Sequence, residues 1–98
     1  MKLGKIVGTV VATQKNEALI GATLLVVQDL KLDLAPASGS LVCVDSLGAG
    51  IGDVVLYVSG SSARLTEVSK DRPVDATVIA IVDTVEVEGQ VVFSKGAS

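Results

Sequence analysis

Four groups of residues in this chain have the types that chemistry needs. They are the run Gly48-Ala49-Gly50-Ile51-Gly52-Asp53, the segment Gly60-Ser61-Ser62-Ala63-Arg64, the lone Cys43, and a scatter of carboxylates: Asp29, Asp45, Asp53, Asp75, Asp83, Glu86 and Glu88. A glycine-rich run can cradle phosphate when it ends in Gly-Lys-Ser/Thr or opens a helix. This one leads directly into an apolar run at Val54–Ser59, so a strand connection with positive φ angles is the better reading. If the chain forms a ring, three glycines within five residues would also let several backbones approach one axis, with Gly48, Ala49, Gly50, Ile51 and Gly52 lining a narrow opening. Ser61 and Ser62 beside the Arg64 guanidinium could hold an anion. The chain contains no histidine, however, and nothing else would activate a serine as a nucleophile. A helix N-cap at Ser61 or Ser62, with Arg64 paired to Asp75 or Asp83 of the same chain or the next, fits better. Paired carboxylates can run glycoside hydrolysis or hold a hard cation, but they need a concave cleft that a small filled domain lacks. Solvated strand ends and interface ion pairs are their expected roles. Cys43 alternates with Val42 and Val44 and reads as a small buried hydrophobe with no reason for a low thiol pKa.

Composition narrows the field further. The chain has 98 residues, eight basic against eleven acidic side chains and a net charge of -3. That excludes the basic patch which drives nucleic-acid affinity. Aromatic residues are 2% of the chain, Tyr57 and Phe93, which removes base-stacking platforms. The core is expected to be aliphatic. No segment approaches the roughly 20 apolar residues of a membrane span, and one cysteine asks for no oxidising compartment. The expectation is a soluble, cytoplasmic, non-enzymatic protein with no cofactor and a single domain over residues 1–98.

Valine and isoleucine dominate the apolar runs, which suits a pleated surface. Strands are predicted at Leu3–Ala12, Thr23–Leu30, Leu41–Leu47, Val54–Ser59 and Thr77–Val87, with a short tail strand at Gln90–Ser94. The intervening pieces, among them Lys31–Ser40, are read as turns, with one helical turn possible at Ser61–Leu65. This predicts an all-β fold: a small five-stranded OB-like β-barrel with a short C-terminal strand, closed because closure removes exposed sheet edges. The strands are apolar on both faces. Val54, Leu56 and Val58 oppose Val55 and Tyr57; Val78, Ala80 and Val82 oppose Ile79, Ile81, Val85 and Val87. No amphipathic helix long enough to cover a second face is visible, so a homo-oligomer that buries it is the economical solution, against a monomer with tolerated surface valines.

Six segments in order also resemble a known family. They are Gly4-Lys5-Ile6-Val7-Gly8-Thr9-Val10-Val11-Ala12-Thr13, Leu24-Leu25-Val26-Val27-Gln28, Val44 through Asp53, Gly60-Ser61-Ser62-Ala63-Arg64, Pro73-Val74-Asp75-Ala76 and Ile81-Val82-Asp83-Thr84-Val85. Together they resemble the EutN/CcmL family, the small vertex proteins of bacterial microcompartments. The resemblance implies a homopentamer that caps the five-fold vertices of a shell tiled by hexameric and pseudohexameric proteins, without catalysis or an obligatory cofactor. It implies subunit contacts at Ser61, Ser62, Arg64, Asp75, Asp83 and Phe93, and an axial position for Gly48–Gly52. The Gly60–Arg64 segment and the Gly89-Gln90-Val91-Val92-Phe93 ending look more like ethanolamine-type or related metabolosome members than carboxysome ones. Asp53 stands where many relatives carry Glu, and Lys31–Ser40 matches no familiar version. The competing reading is an isolated OB-fold module for a ligand or oligonucleotide; it would need an aromatic or basic groove.

Overall fold

The computed structural model describes residues 1–11, 23–60 and 76–95. The described residues form seven strands: β1 (Lys2–Val10), β2 (Thr23–Leu30), β3 (Pro36–Asp45), β4 (Val54–Ser59), β5 (Ala76–Ile81), β6 (Thr84–Val87) and β7 (Gln90–Ser94). The first five close into a barrel of order β1-β2-β3-β5-β4, while β6 and β7 form a separate two-stranded sheet. All barrel pairings are antiparallel except β3 with β5, which meet in parallel at Val44 and Thr77. No helix of the described residues is long and apolar enough to cross a membrane.

The barrel is filled by Ile6, Leu25, Val27, Cys43, Val55, Ala76 and Val78 packed around Tyr57, with Leu41 and Ile81 against them. Tyr57 is 1% exposed and is the largest buried side chain, so the core is aliphatic around one aromatic ring. Gly4 makes room for it. A Cβ at Gly4 would lie 3.2 Å from Tyr57 Cε1 and collide with Val27 Cγ1.

Two expectations about strand limits need correction. β3 begins at Pro36, not Leu41, although Pro-Ala-Ser-Gly-Ser has the composition of a turn. Proline is tolerated as a strand's first residue, and the Gln28 side-chain amide donates to the carbonyls of Ala37 at 2.6 Å and Gly39 at 2.8 Å. That staple holds β3 where its register with β2 shifts between Gln28 and Leu30. The long apolar run Thr77–Val87 is likewise not one strand. It breaks at Val82 and Asp83, where the Val82 N–H donates to Val54 O at 2.8 Å and the Lys95 N–H to Asp83 O at 2.7 Å. Beyond the break the chain turns back through Glu88 and Gly89, both at positive φ (52° and 78°), as a two-residue hairpin loop requires.

The expected face assignment of β5 also changes. Leu56 and Tyr57 face Ala80 and Val78, so Ile79 is an extra residue, and Val78 and Ile81 both reach the core. A second bulge on β1 puts Val7 between Ile6 and Gly8, 48% exposed. The outer wall nonetheless keeps its apolar character: Leu24, Val26, Leu56 and Val58 are half-buried and Val42 is 50% exposed.

Candidate functional site

The Gly48–Asp53 connection between β3 and β4 is organised by two aspartates. Asp45, the last residue of β3, is 2% exposed. Its carboxylate accepts from the N–H groups of Leu47 (3.1 Å), Gly48 (3.1 Å) and Ala49 (3.0 Å). This folds the chain over the barrel end and delivers Ala49 to the core. Asp53 accepts from Gly50 N–H at 2.9 Å and returns its own N–H to Gly50 O at 3.0 Å. The Gly52 N–H donates to Ile6 O at 2.8 Å, and the Ile6 N–H to Asp53 O at 2.9 Å, which anchors the loop to β1. Phosphate cradles need several free, convergent N–H groups. Here those of Leu47, Gly48, Ala49, Gly50, Gly52 and Asp53 are already engaged. The loop is a strand connection.

Within it, Gly50 differs from Gly52. Gly52 sits at φ +95°, a conformation that favours glycine. Gly50 is not at positive φ, and a Cβ there would meet no atom within 4 Å. The protomer itself does not require glycine at this position. Ile51 beside it is 71% exposed.

The carboxylates do not gather into a site. Among the described residues no group of three or more His, Cys, Asp or Glu could hold a metal ion. Asp45 and Asp29 are internal acceptors, not the solvated strand ends expected. Asp29 receives the Tyr57 hydroxyl, and Asp33 accepts from Ala35 N–H at 3.0 Å within the β2–β3 turn. Burial first, and the Asp29 charge second, push the Cys43 thiol up to about 12, so it stays protonated. Burial, then the hydrogen bond to Asp29, also raises the Tyr57 hydroxyl. Thr77 is fully buried and its Oγ1 has no hydrogen-bond partner among the described residues.

Further exposed apolar side chains lie on β7, at the barrel end beside β1 and the β2–β3 turn, and at Val11 and Leu47. Val91 is 60% and Val92 37% exposed, Met1 76% and Leu32 69%. Phe93 pairs with Val85 across the hairpin and, with Ile51, Val54 and Lys95, lines a cleft of about 450 Å³. Asp83 is exposed at the break before β6. Ser61, Ser62, Arg64 and Asp75, together with the helical turn expected at Ser61–Leu65, lie outside the described residues. Sequence reasoning missed Asp45 as the organiser of the loop. Its only sequence signal is an acidic residue just before a run of small ones.

Comparison with known proteins completes the description. The family described as ethanolamine utilisation protein EutN/carboxysome matches residues 1–83. The bacterial microcompartment shell vertex protein GrpN of Rhodospirillum rubrum is 50% identical over 86 residues, covering 88% of this chain and 97% of that protein. The vertex protein EutN of Salmonella typhimurium is 44% identical over 95 residues, 97% of this chain and 96% of its own length. Among solved structures, CcmL of Gloeobacter violaceus superposes with a TM-score of 0.90 at 39% identity, covering 99% of this chain and all of that one. The structure described as the GrpN pentameric microcompartment shell protein superposes with a TM-score of 0.78 at 49% identity, covering 89% of this chain and 99% of that one.

Proposed function

Because the chain belongs to the EutN/CcmL family of microcompartment shell vertex proteins, we propose that five copies form a ring that caps the five-fold corners of a bacterial microcompartment in the cytoplasm, beside hexameric and pseudohexameric shell proteins. The role is geometric and non-enzymatic. A flat lattice of hexamers closes only where five-fold units replace six-fold ones. The observation that carries this reading is the fit to a pentameric relative over nearly its whole length, on a protomer whose outer wall and hairpin carry unpartnered apolar side chains. The alternative of an OB-fold binding module has no support in the relatives, and the described surface offers no aromatic or basic groove of the kind it needs. The preference for a metabolosome of the ethanolamine or a related type over a carboxysome rests on the Gly60–Arg64 and Gly89–Phe93 segments alone, since EutN of Salmonella typhimurium and CcmL of Synechococcus elongatus are equally identical to this chain at 44%.

In this ring Gly48–Gly52 faces the five-fold axis, and Asp83 and Phe93 lie at subunit contacts. The glycine at Gly50, which nothing within the protomer demands, supports the axial placement. Ser61, Ser62, Arg64 and Asp75 belong to the same proposed interface on the family resemblance alone. Native mass spectrometry tests the ring, with a pentamer of the 9.9 kDa chain as the expected species. Co-expression with hexameric shell proteins tests the corner role: closed polyhedra are expected with the chain and open sheets or tubes without it. A stable monomer, or shells that close equally well in its absence, would overturn the reading.

A further inference from the structure

We propose that the barrel mouth opposite the Gly48–Asp53 loop is a binding site for a short-chain organic anion, a carboxylate or phosphate head held by Lys2 and Lys31 with a small apolar body against Leu30, Leu32 and Ala37. All of these residues belong to one copy, so the site goes beyond the vertex reading and does not depend on it.

The two ends of the barrel are finished differently. At one end the loop organised by Asp45 folds over the core and inserts Ala49. At the other, where β1 and β3 begin and β2 ends, Tyr57 donates its hydroxyl to Asp29. Beside that pair lies a hollow of about 360 Å³ lined by Lys2, Leu30, Lys31, Leu32 and Ala37 as well as Asp29. Barrel mouths are favoured places for small ligands, whose sites enclose roughly 300–1,000 Å³. The barrel itself is filled by its own side chains, so a ligand rests on the core and not within it.

The walls of the hollow are held in place before any ligand arrives. Lys2 shares the inward face of β1 with Gly4 and Ile6 and pairs with Tyr57 across β4. Lys31 is fixed by its backbone: its N–H donates to Ala35 O and its carbonyl accepts from Leu34 N–H, both at 2.9 Å. On the far wall the Gln28 amide binds the carbonyls of Ala37 and Gly39. Such preorganisation lowers the cost of binding. Lys31–Ser40 is also the segment that matches no familiar version of the family, and neither barrel closure nor the Asp45 loop uses Lys31 or Leu32.

Charge selects the sign of the ligand. Two ammonium groups and one carboxylate line the hollow, a surplus of one positive charge on a chain whose net charge is -3. The carboxylate, that of Asp29, is turned to Tyr57 through one oxygen, while the other lies 3.6 Å from where a Cβ at Gly39 would sit. The apolar wall asks for more than a bare inorganic ion. Leu32 is 69% exposed, and a short alkyl chain laid against it removes apolar surface from water.

The test titrates the full, assembled chain with butanoate, monobutyl phosphate, butylammonium and butan-1-ol, read by methyl NMR. Saturable shifts at Leu30, Leu32 and Ala37 are expected with at least one of the two anions, which identifies the head group, and none with the cation or the alcohol. Binding weakens as salt is raised, and shortening the chain by one methylene costs roughly twofold. Lys2→Gln and Lys31→Gln are each expected to weaken binding roughly fivefold, and Lys31→Arg to retain it. Asp29→Asn, which keeps a partner for the Tyr57 hydroxyl, is expected to tighten it. The proposal is overturned if neither anion gives a saturable shift, if butylammonium binds equally well, or if the folded Lys2→Gln/Lys31→Gln variant binds like the parent. A chain that proves monomeric by native mass spectrometry yet binds butanoate in this way defeats the vertex reading and leaves the site standing.

Discussion

Three backbone donors converge on the single carboxylate of Asp45, and a charged acceptor makes such bonds stronger than neutral ones. Asp45→Ala strands those N–H groups and is expected to cost about 2–4 kcal/mol, read as a lower midpoint in urea unfolding. Thr77 is the opposite case. Its buried hydroxyl finds no partner among the described residues, so Thr77→Val, which keeps the shape, is expected to stabilise by about 1 kcal/mol in the same assay. The alkaline limit is set by Cys43 and Tyr57. Burial raises both groups from ordinary values of 9.0 and 10.0, so the folded state keeps protons that the unfolded chain releases. Above about pH 9 the unfolded chain binds fewer protons, and stability falls by up to about 1.4 kcal/mol per pH unit for Cys43, steepening above pH 10 as Tyr57 joins. Below pH 9 both contributions are complete. Cys43→Ala is expected to remove the part of the loss that begins near pH 9 and to leave the later part; an unchanged profile would contradict the assignment.

Among the elements, β3 shows how a side chain can extend a strand beyond its own propensity. Gln28→Ala removes the amide that binds Ala37 and Gly39. The expected result is faster hydrogen exchange over residues 36–39, with protection kept over residues 40–45, where β3 pairs regularly with β2. The same staple explains what was legible in the sequence and what was not. β1, β2 and β4 lie where Val and Ile runs put them, β2 and β4 to the residue, because periodicity and β-branching are local signals. The first half of β3 was not legible, since its reason lies in Gln28 on another strand. Nor was the break at Val82 and Asp83, because apolar residues continue through it and Glu88-Gly89 lacks the Asn or Asp that marks such turns. The Gly48–Asp53 loop could be located but not understood. Its glycines are visible in the sequence, whereas the reach of the Asp45 carboxylate appears only once the chain is folded. The bulge at Ile79 overturned strict alternation for a similar reason, since one extra residue reassigns every face beyond it.

At the scale of the whole molecule, the protomer is 45 Å long and 25 by 23 Å across, longer than the roughly 33 Å that a ten-residue strand spans. It has an inside that is complete and an outside that is not. The barrel core needs no partner, while the outer wall and hairpin do. Assembly variants and folding variants are therefore expected to separate. Gly50→Trp is expected to leave the circular dichroism spectrum of the protomer unchanged and to reduce or remove the pentamer peak in native mass spectrometry, because five indoles would meet where five hydrogens stood. Intact rings carrying the tryptophan far from the symmetry axis would contradict the axial placement. The bonding of the loop has a practical corollary. Asp45, Asp53 and Ile6 hold it within one chain and leave the position of Gly50 sterically idle, so, given the axial placement proposed above, small side chains of chosen polarity installed there would make a tunable aperture. The corner of the container could then filter metabolites by charge without any redesign of the scaffold beneath it.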